Sequence, residues 1–200
     1  MRVLTRKIAA ITCLAALTAL AAPPAQAAPS ASLLPRVGAV VALKLSAPGV
    51  AITVASTTQT VDLRGDLVVR VVPSDINPLG TVRLRVLDLN LTGKLPQGDV
   101  TIRPEAFDAS ATGVLSLNLG IPPTLTHALS LNLRVTLNLP AVSPTPLELT
   151  TKDAVGLLGV LKKFPPAGDV LQVQNPVQLV DVAKPGVTAA VIAKFGLRLG

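Results

Sequence analysis

The segment from Leu129 to Leu139 alternates strictly between apolar and polar side chains. It reads Leu-Ser-Leu-Asn-Leu-Arg-Val-Thr-Leu-Asn-Leu, with an apolar residue at every odd position. Successive side chains of a β-strand point to opposite faces, so a period of two is typical of a strand buried on one face only. Shorter versions of the phrase recur at 87–91 and 115–119. The sequence therefore predicts a protein built mainly of β-sheet.

Further strands are predicted at 37–45, 50–54, 61–71, 81–92, 100–103, 114–119, 177–182 and 187–199. The first two have no polar face, so we expect them to be central strands joined by a turn at 46–49. Within 81–92 the apolar phase changes from even to odd positions at Leu87, which predicts a β-bulge or a strand that bends between two packing surfaces. Long strands with short turns favour an antiparallel sandwich or a partly closed barrel.

One short amphipathic helix is predicted in the C-terminal half. Thr150 followed by Asp153 resembles a capping box, and Pro165 with Pro166 would end the helix. On this interpretation Gly156 and Gly159 are helix-packing glycines. The apolar residues at helical spacing are Ala154, Leu157, Leu158, Leu161 and Phe164.

The N-terminal residues have the three-part layout of a secretory signal peptide. Arg2, Arg6 and Lys7 precede an apolar stretch at 8–20, and Ala-Gln-Ala occupies 25–27. We therefore expect residues 1–27 to be removed and the protein to be secreted, either to the extracellular space or to the cell envelope. Cys13, the single cysteine, lies in the apolar stretch, so the mature chain would form no disulfide.

The mature chain, 28–200, has the length of a single domain. Three prolines in the segment 140–146 mark a possible internal boundary, but the residues after it are too few for a sound core of their own. We interpret this segment as a long loop. Removal of the three basic residues of the signal peptide lowers the formal charge from +7 to +4, which is too little for a polyanion-binding surface.

His127 is the only histidine, and it is in phase with the apolar residues Leu125 and Leu129. We predict a buried histidine that hydrogen-bonds to the backbone near the Pro122–Pro123 turn. A catalytic role would need a nucleophile, yet no Gly-x-Ser-x-Gly motif is present. Zinc prefers cysteine and histidine ligands, and calcium needs clustered carboxylates that this chain does not supply in sequence. No catalytic, cofactor-binding or metal residues are predicted.

The acidic residues Asp99, Glu105 and Asp108 leave one enzymatic alternative, a hydrolase that uses dispersed carboxylates. The chain has no Trp and no Tyr, which are the usual stacking platforms for sugars and for single-stranded nucleic acids. Lys162 and Lys163 are the only adjacent basic pair outside the signal peptide. We interpret them as a solvent-facing helix end, so no nucleic-acid partner is predicted.

The leading functional hypothesis is a secreted, non-catalytic β-protein that acts by binding or assembly. One alternative is a carrier of an apolar or lipid-like ligand, because the strands are rich in leucine and poor in aromatic residues. Its cavity would be lined by Leu89, Leu117, Leu131 and Leu133. The predicted partners are an apolar ligand or an envelope component. Neither a cofactor nor a transmembrane segment in the mature chain is expected.

Overall fold

The fold was determined from a computed structural model, which describes residues 33–75, 79–106, 112–140 and 144–200. The predicted signal peptide and Asp108 lie outside these residues. The described part is all-β and contains no helix. Its thirteen strands are β1 (Val40–Val54), β2 (Thr57–Pro73), β3 (Thr81–Leu95), β4 (Gly98–Pro104), β5 (Thr112–Asn118), β6 (Thr124–Leu131), β7 (Leu133–Asn138), β8 (Leu147–Thr151), β9 (Val155–Leu161), β10 (Val170–Val173), β11 (Val177–Asp181), β12 (Lys184–Ile192) and β13 (Gly196–Leu199).

All thirteen strands belong to one antiparallel sheet, whose order is β12-β11-β8-β7-β4-β3-β2-β1-β13-β10-β9-β6-β5. Two additional pairings, β3 with β5 and β12 with β1, close this order into two rings. Ring A consists of β1, β2, β3, β5, β6, β9, β10 and β13, and ring B of β1, β2, β3, β4, β7, β8, β11 and β12. Some seams are only two residue pairs long, such as β1 with β13 and β9 with β10, so the sheet is not a clear barrel.

Strands β1, β2 and β3 are shared because each is long enough to serve both rings. The ring A half of β1 pairs Leu45 with β13, and its ring B half pairs Ile52 with β12. A register shift between Ala47 and Val50 separates the two halves. Strand β3 is divided in the same way, because Val68 is opposite Asp88 whereas Val69 is opposite Val86. Leu87 is therefore the extra residue of a β-bulge, which confirms the prediction made from its change of phase.

The core fills both rings with the inward-facing residues of each strand. Along 129–139 every odd residue is buried, although the segment is two strands that separate at Asn132. Strand β6 before this point pairs with β5 and β9, and β7 after it pairs with β4 and β8. The carbonyl oxygen of Asn132 accepts a hydrogen bond from the Glu105 amide at 2.9 Å. One alternating segment therefore carries the chain from ring A to ring B.

The predicted helix is wrong, because its residues form the end of β8 and the whole of β9. The burial of Leu157 and Leu161 fits a period of two as well as a helical one, but the exposure of Leu158, which belongs to the apolar side of the predicted helix, fits only the period of two. Pairing with β6 and β10 decides between these patterns, since hydrogen bonds to two neighbours outweigh a weak helical preference. Gly159 packs against the backbone of β10, where an added Cβ would lie 2.4 Å from the Val170 oxygen. It is a sheet glycine, as is Gly156.

Two other boundaries differ from those predicted. The expected turn at 46–49 is the bulge of the continuous strand β1, with Gly49 in the left-handed region at a φ of 66°. The expected strand at 187–199 is divided into β12 and β13, because the first pairs in ring B and the second in ring A. Strands on both sides of 140–146 belong to the same sheet.

Candidate functional site

An apolar pocket of about 190 Å³ lies at the end of ring B, where the β1–β2 hairpin, the β3–β4 turn and the end of β7 converge. Its walls are mainly aliphatic, and four of its leucine and isoleucine residues are otherwise part of the core. Because an apolar cavity of about 150 Å³ can hold benzene, this volume suits a small ring or a short alkyl segment. The lining residues are Ile52, Val54, Ala55, Thr57, Gln59, Leu95, Gln97, Leu137 and Leu139.

The strand pattern explains why these side chains meet. On β2 the odd-numbered residues face the interior, so Thr57 and Gln59 extend the row of the buried Val61 toward the strand end. Leu137 and Leu139 do the same at the end of β7. Each row of inward-facing side chains ends where its strand ends. At this end of ring B several such rows end close together, and an apolar opening remains between them.

Gln59 is one of three polar residues that line the pocket, with Thr57 and Gln97. Its Nε2 donates to Gln97 Oε1 at 3.5 Å, whereas its Oε1 is buried and has no hydrogen-bond partner in the described part of the chain. A buried acceptor without a partner costs free energy, on the order of 1–3 kcal/mol. A ligand that carries a hydroxyl or amide donor would satisfy this oxygen if the Gln59 side chain turned toward the pocket. The pocket therefore combines a mainly apolar wall with the side-chain amides of Gln59 and Gln97 and the hydroxyl of Thr57.

His127 lies inside ring A on β6, opposite Leu115 of β5 and Gly159 of β9. Its side chain is 1 % exposed, as the apolar phase of its neighbours predicts. The predicted hydrogen bond to the backbone is wrong, because neither ring nitrogen has a partner among the described residues. Burial lowers the pKa of His127 to about 4, since desolvation disfavours the imidazolium. The side chain is therefore neutral at pH 7 and surrounded by the core.

Of the three carboxylates considered for a hydrolase, the structure describes Asp99 and Glu105, and these two are not brought together as a pair. Asp99 and Glu105 lie at opposite ends of β4, six residues and about 20 Å apart in an extended strand. Glycoside hydrolases need a separation of at most about 10 Å. Asp99 is instead ion-paired with Lys94 on the outer face of the sheet, at 2.7 Å between Nζ and Oδ1. An open groove of about 740 Å³ on this face also contains Asp62.

Within the described ranges, no group of three or more His, Cys, Asp or Glu side chains is arranged to hold a metal ion. Nor does that part of the chain contain a helix of the length and apolarity needed to cross a membrane. Lys162 and Lys163 are exposed as predicted, but they follow a strand rather than a helix. Asn90 lies within β3, and its Oδ1 accepts a hydrogen bond from Arg103 Nε at 3.4 Å.

The leucines predicted to enclose a ligand cavity do not line the apolar pocket. Leu89, Leu131 and Leu133 are buried in the core, and Leu117 is half-buried. The pocket is formed by the ends of the same alternating rows, which sequence reasoning did not single out. The sequence signal that could have pointed to this pocket is Gln59, because it is a polar residue at an inward-facing position of β2.

No protein-family model matches the chain, and no curated protein matches it in sequence. A solved structure with a similar fold is that of DynF from the dynemicin biosynthesis pathway of Micromonospora chersina. The likeness has a TM-score of 0.65 and covers 83 % of this chain and 82 % of DynF, at 16 % sequence identity. At this identity the comparison shows a shared fold and nothing about activity.

Proposed function

We propose that the protein is an exported, non-catalytic β-protein that binds an apolar ligand in the pocket at the end of ring B. In this proposal ring B acts as a partly closed barrel and the pocket is its entrance. The observation that carries the proposal is an aliphatic opening of about 190 Å³ that is lined in part by Gln59, a residue whose Oε1 is buried without a partner. Ligand sites commonly pair a largely apolar lining with a few polar groups that fix orientation.

The volume and the acceptor together limit the ligand chemistry. The pocket holds a short alkyl or ring segment rather than a whole lipid, so a longer ligand would leave its remainder outside. In this proposal the Gln59 side chain turns its oxygen into the pocket when a ligand binds, and this oxygen favours a hydroxyl or amide hydrogen over a carboxylate, which has no proton to donate at neutral pH. We expect an uncharged amphipathic molecule to bind better than a plain hydrocarbon of the same length.

The experiment measures binding of 1-hexanol and hexane to the purified protein by ligand-observed NMR. Thr57→Trp places a large side chain in the pocket lining, and Thr58→Trp is the matched control, because Thr58 is exposed and does not line the pocket. We expect both probes to bind the control and neither to bind Thr57→Trp. Binding of the probes by Thr57→Trp as strongly as by the control would contradict the proposal.

Gln59→Leu tests the polar part of the site. Removal of the unpartnered acceptor should abolish the preference for 1-hexanol over hexane while it leaves hexane binding in place.

In parallel, native mass spectrometry and solvent extraction of protein from its own host should yield a small apolar compound. Clean apo-protein, with no thermal stabilisation by either probe, would reject the carrier and leave binding through the polar strand faces.

A further inference from the structure

The loops at the free end of ring A expose large apolar side chains at their tips. Leu79 in the β2–β3 connection is 92 % exposed, Leu119 in the β5–β6 connection is 88 % exposed, and Ile121 in the same connection is fully exposed. Val37, just before β1, is also more than half exposed. Apolar side chains of this size are rarely presented together on a surface that contacts only water.

The strand pairings place these tips at one end of the ring. The Leu117 amide donates to the Gly80 oxygen at 2.8 Å, which joins the β2–β3 connection to the end of β5. The Gly38 amide donates to the Val71 oxygen at 2.8 Å, which holds the segment before β1 beside the end of β2. The tips are therefore neighbours in space, although they come from three segments of the chain.

Basic side chains surround the same end. Leu161, the last residue of β9, is opposite Leu125 at the beginning of β6, so the exposed Lys162 and Lys163 follow directly at this end. Arg36 is exposed next to Val37. The acidic residues of this end are fewer, and Asp169 among them is half-buried. The basic residues are Arg36, Arg83, Lys162 and Lys163, and the acidic residues are Asp75 and Asp169.

We infer that the free end of ring A docks onto an anionic lipid surface, with Leu79, Leu119 and Ile121 inserted among the headgroups. Separate projecting tips suit a fluid surface, which needs no complementary shape, and the surrounding lysines and arginines suit its negative charge. A single apolar tip gives weak binding, but several tips with a basic surround act together. The inference does not depend on the ring B pocket, which lies at the other end of β1, about 40–45 Å along the strand.

The test is co-sedimentation of the protein with vesicles of phosphatidylcholine alone or mixed in equal parts with phosphatidylglycerol. The triple variant Leu79→Ser, Leu119→Ser, Ile121→Ser should bind the mixed vesicles roughly ten-fold more weakly than the unmodified chain. The control, Val182→Ser with Val187→Ser, changes exposed apolar residues of ring B and should bind normally. All variants share the same N-terminal residues, so differences between them report on the loops.

The charged surround is tested by Lys162→Gln with Lys163→Gln. This variant should lose several-fold of the preference for mixed vesicles over phosphatidylcholine, and high salt should have the same effect. Equal binding by the unmodified chain and the triple variant, or no binding of the unmodified chain to either vesicle, overturns the inference. A concentration-dependent dimer that the triple variant abolishes, in the absence of vesicle binding, would also overturn it and assign this end to self-association.

Discussion

Replacement of His127 by leucine should remove a pH dependence of stability that the wild-type protein carries in its core. The imidazole is 1 % exposed, and burial lowers its pKa from the ordinary value of 6.5 to about 4. As the pH falls below 6.5, the unfolded chain takes up a proton that the folded chain refuses until about pH 4. Protonation therefore favours unfolding. The part of the free energy of unfolding that depends on a neutral His127 is fully present above pH 6.5 and is lost as the pH falls from 6.5 to 4.

The size of this loss follows from the difference between the two pKa values. Each pKa unit corresponds to about 1.4 kcal/mol, so a fall from 6.5 to about 4 corresponds to about 3 kcal/mol of the free energy of unfolding. A second effect acts at every pH. Because both ring nitrogens are buried without a partner, their removal should stabilise the protein at pH 7.5, by about 1–3 kcal/mol.

The assay is urea unfolding of the wild-type protein, His127→Leu and His127→Gln at several pH values from 7.5 to 4. The carboxylates are common to all three proteins, so their pH dependence cancels in the differences. Wild-type protein should lose about 3 kcal/mol more than either variant over this range, and only the leucine variant should gain stability at pH 7.5. Parallel pH profiles, or a leucine variant that is less stable than wild type at pH 7.5, would refute the reasoning and imply a partner for the imidazole.

Three further outcomes follow from the chain and its packing. Gly65→Ala should lower the free energy of unfolding in urea by at least about 3 kcal/mol, because the added Cβ would lie 1.7 Å from a β3 carbonyl oxygen. The control, Gly156→Ala, should change this free energy little, because the atom nearest to its added Cβ is 3.9 Å away. Leu115→Ala, at a fully buried position in ring A, should cost about 2–5 kcal/mol by the same assay. Intact mass of protein purified from its own host should correspond to a chain that begins at Ala28, and a mass that includes Met1 would contradict the predicted export.

Several features of the fold could be predicted because they are local. Alternation fixes which side chains of a strand share a face, and this identified the buried rows of β2, β6 and β7. The change of phase at Leu87 predicted the bulge in β3, since an extra residue is the simplest way to keep both halves facing the core. The burial of His127 followed from its place in the row of Leu125 and Leu129.

The candidate site was not predictable in the same way. The inward-facing rows that include Gln59 and Leu139 are far apart in sequence. Neither segment contains a pattern that predicts that the two lie at the same pocket. The loop tips Leu79 and Ile121 are likewise brought to one end of ring A only by the pairing of β3 with β5. Both sites are products of which strands become neighbours.

By itself the sequence determined that the protein is built of two-faced strands, and which face of most strands is buried. Only the tertiary structure decided that 155–161 is a strand, that 46–49 is a bulge, and that Asn132 divides one alternating segment between two rings. The physical reason is that side-chain orientation has a period set by the backbone of a single strand. Strand pairing depends on hydrogen bonds between distant segments, and many pairings satisfy the same alternation until the whole chain closes around its core.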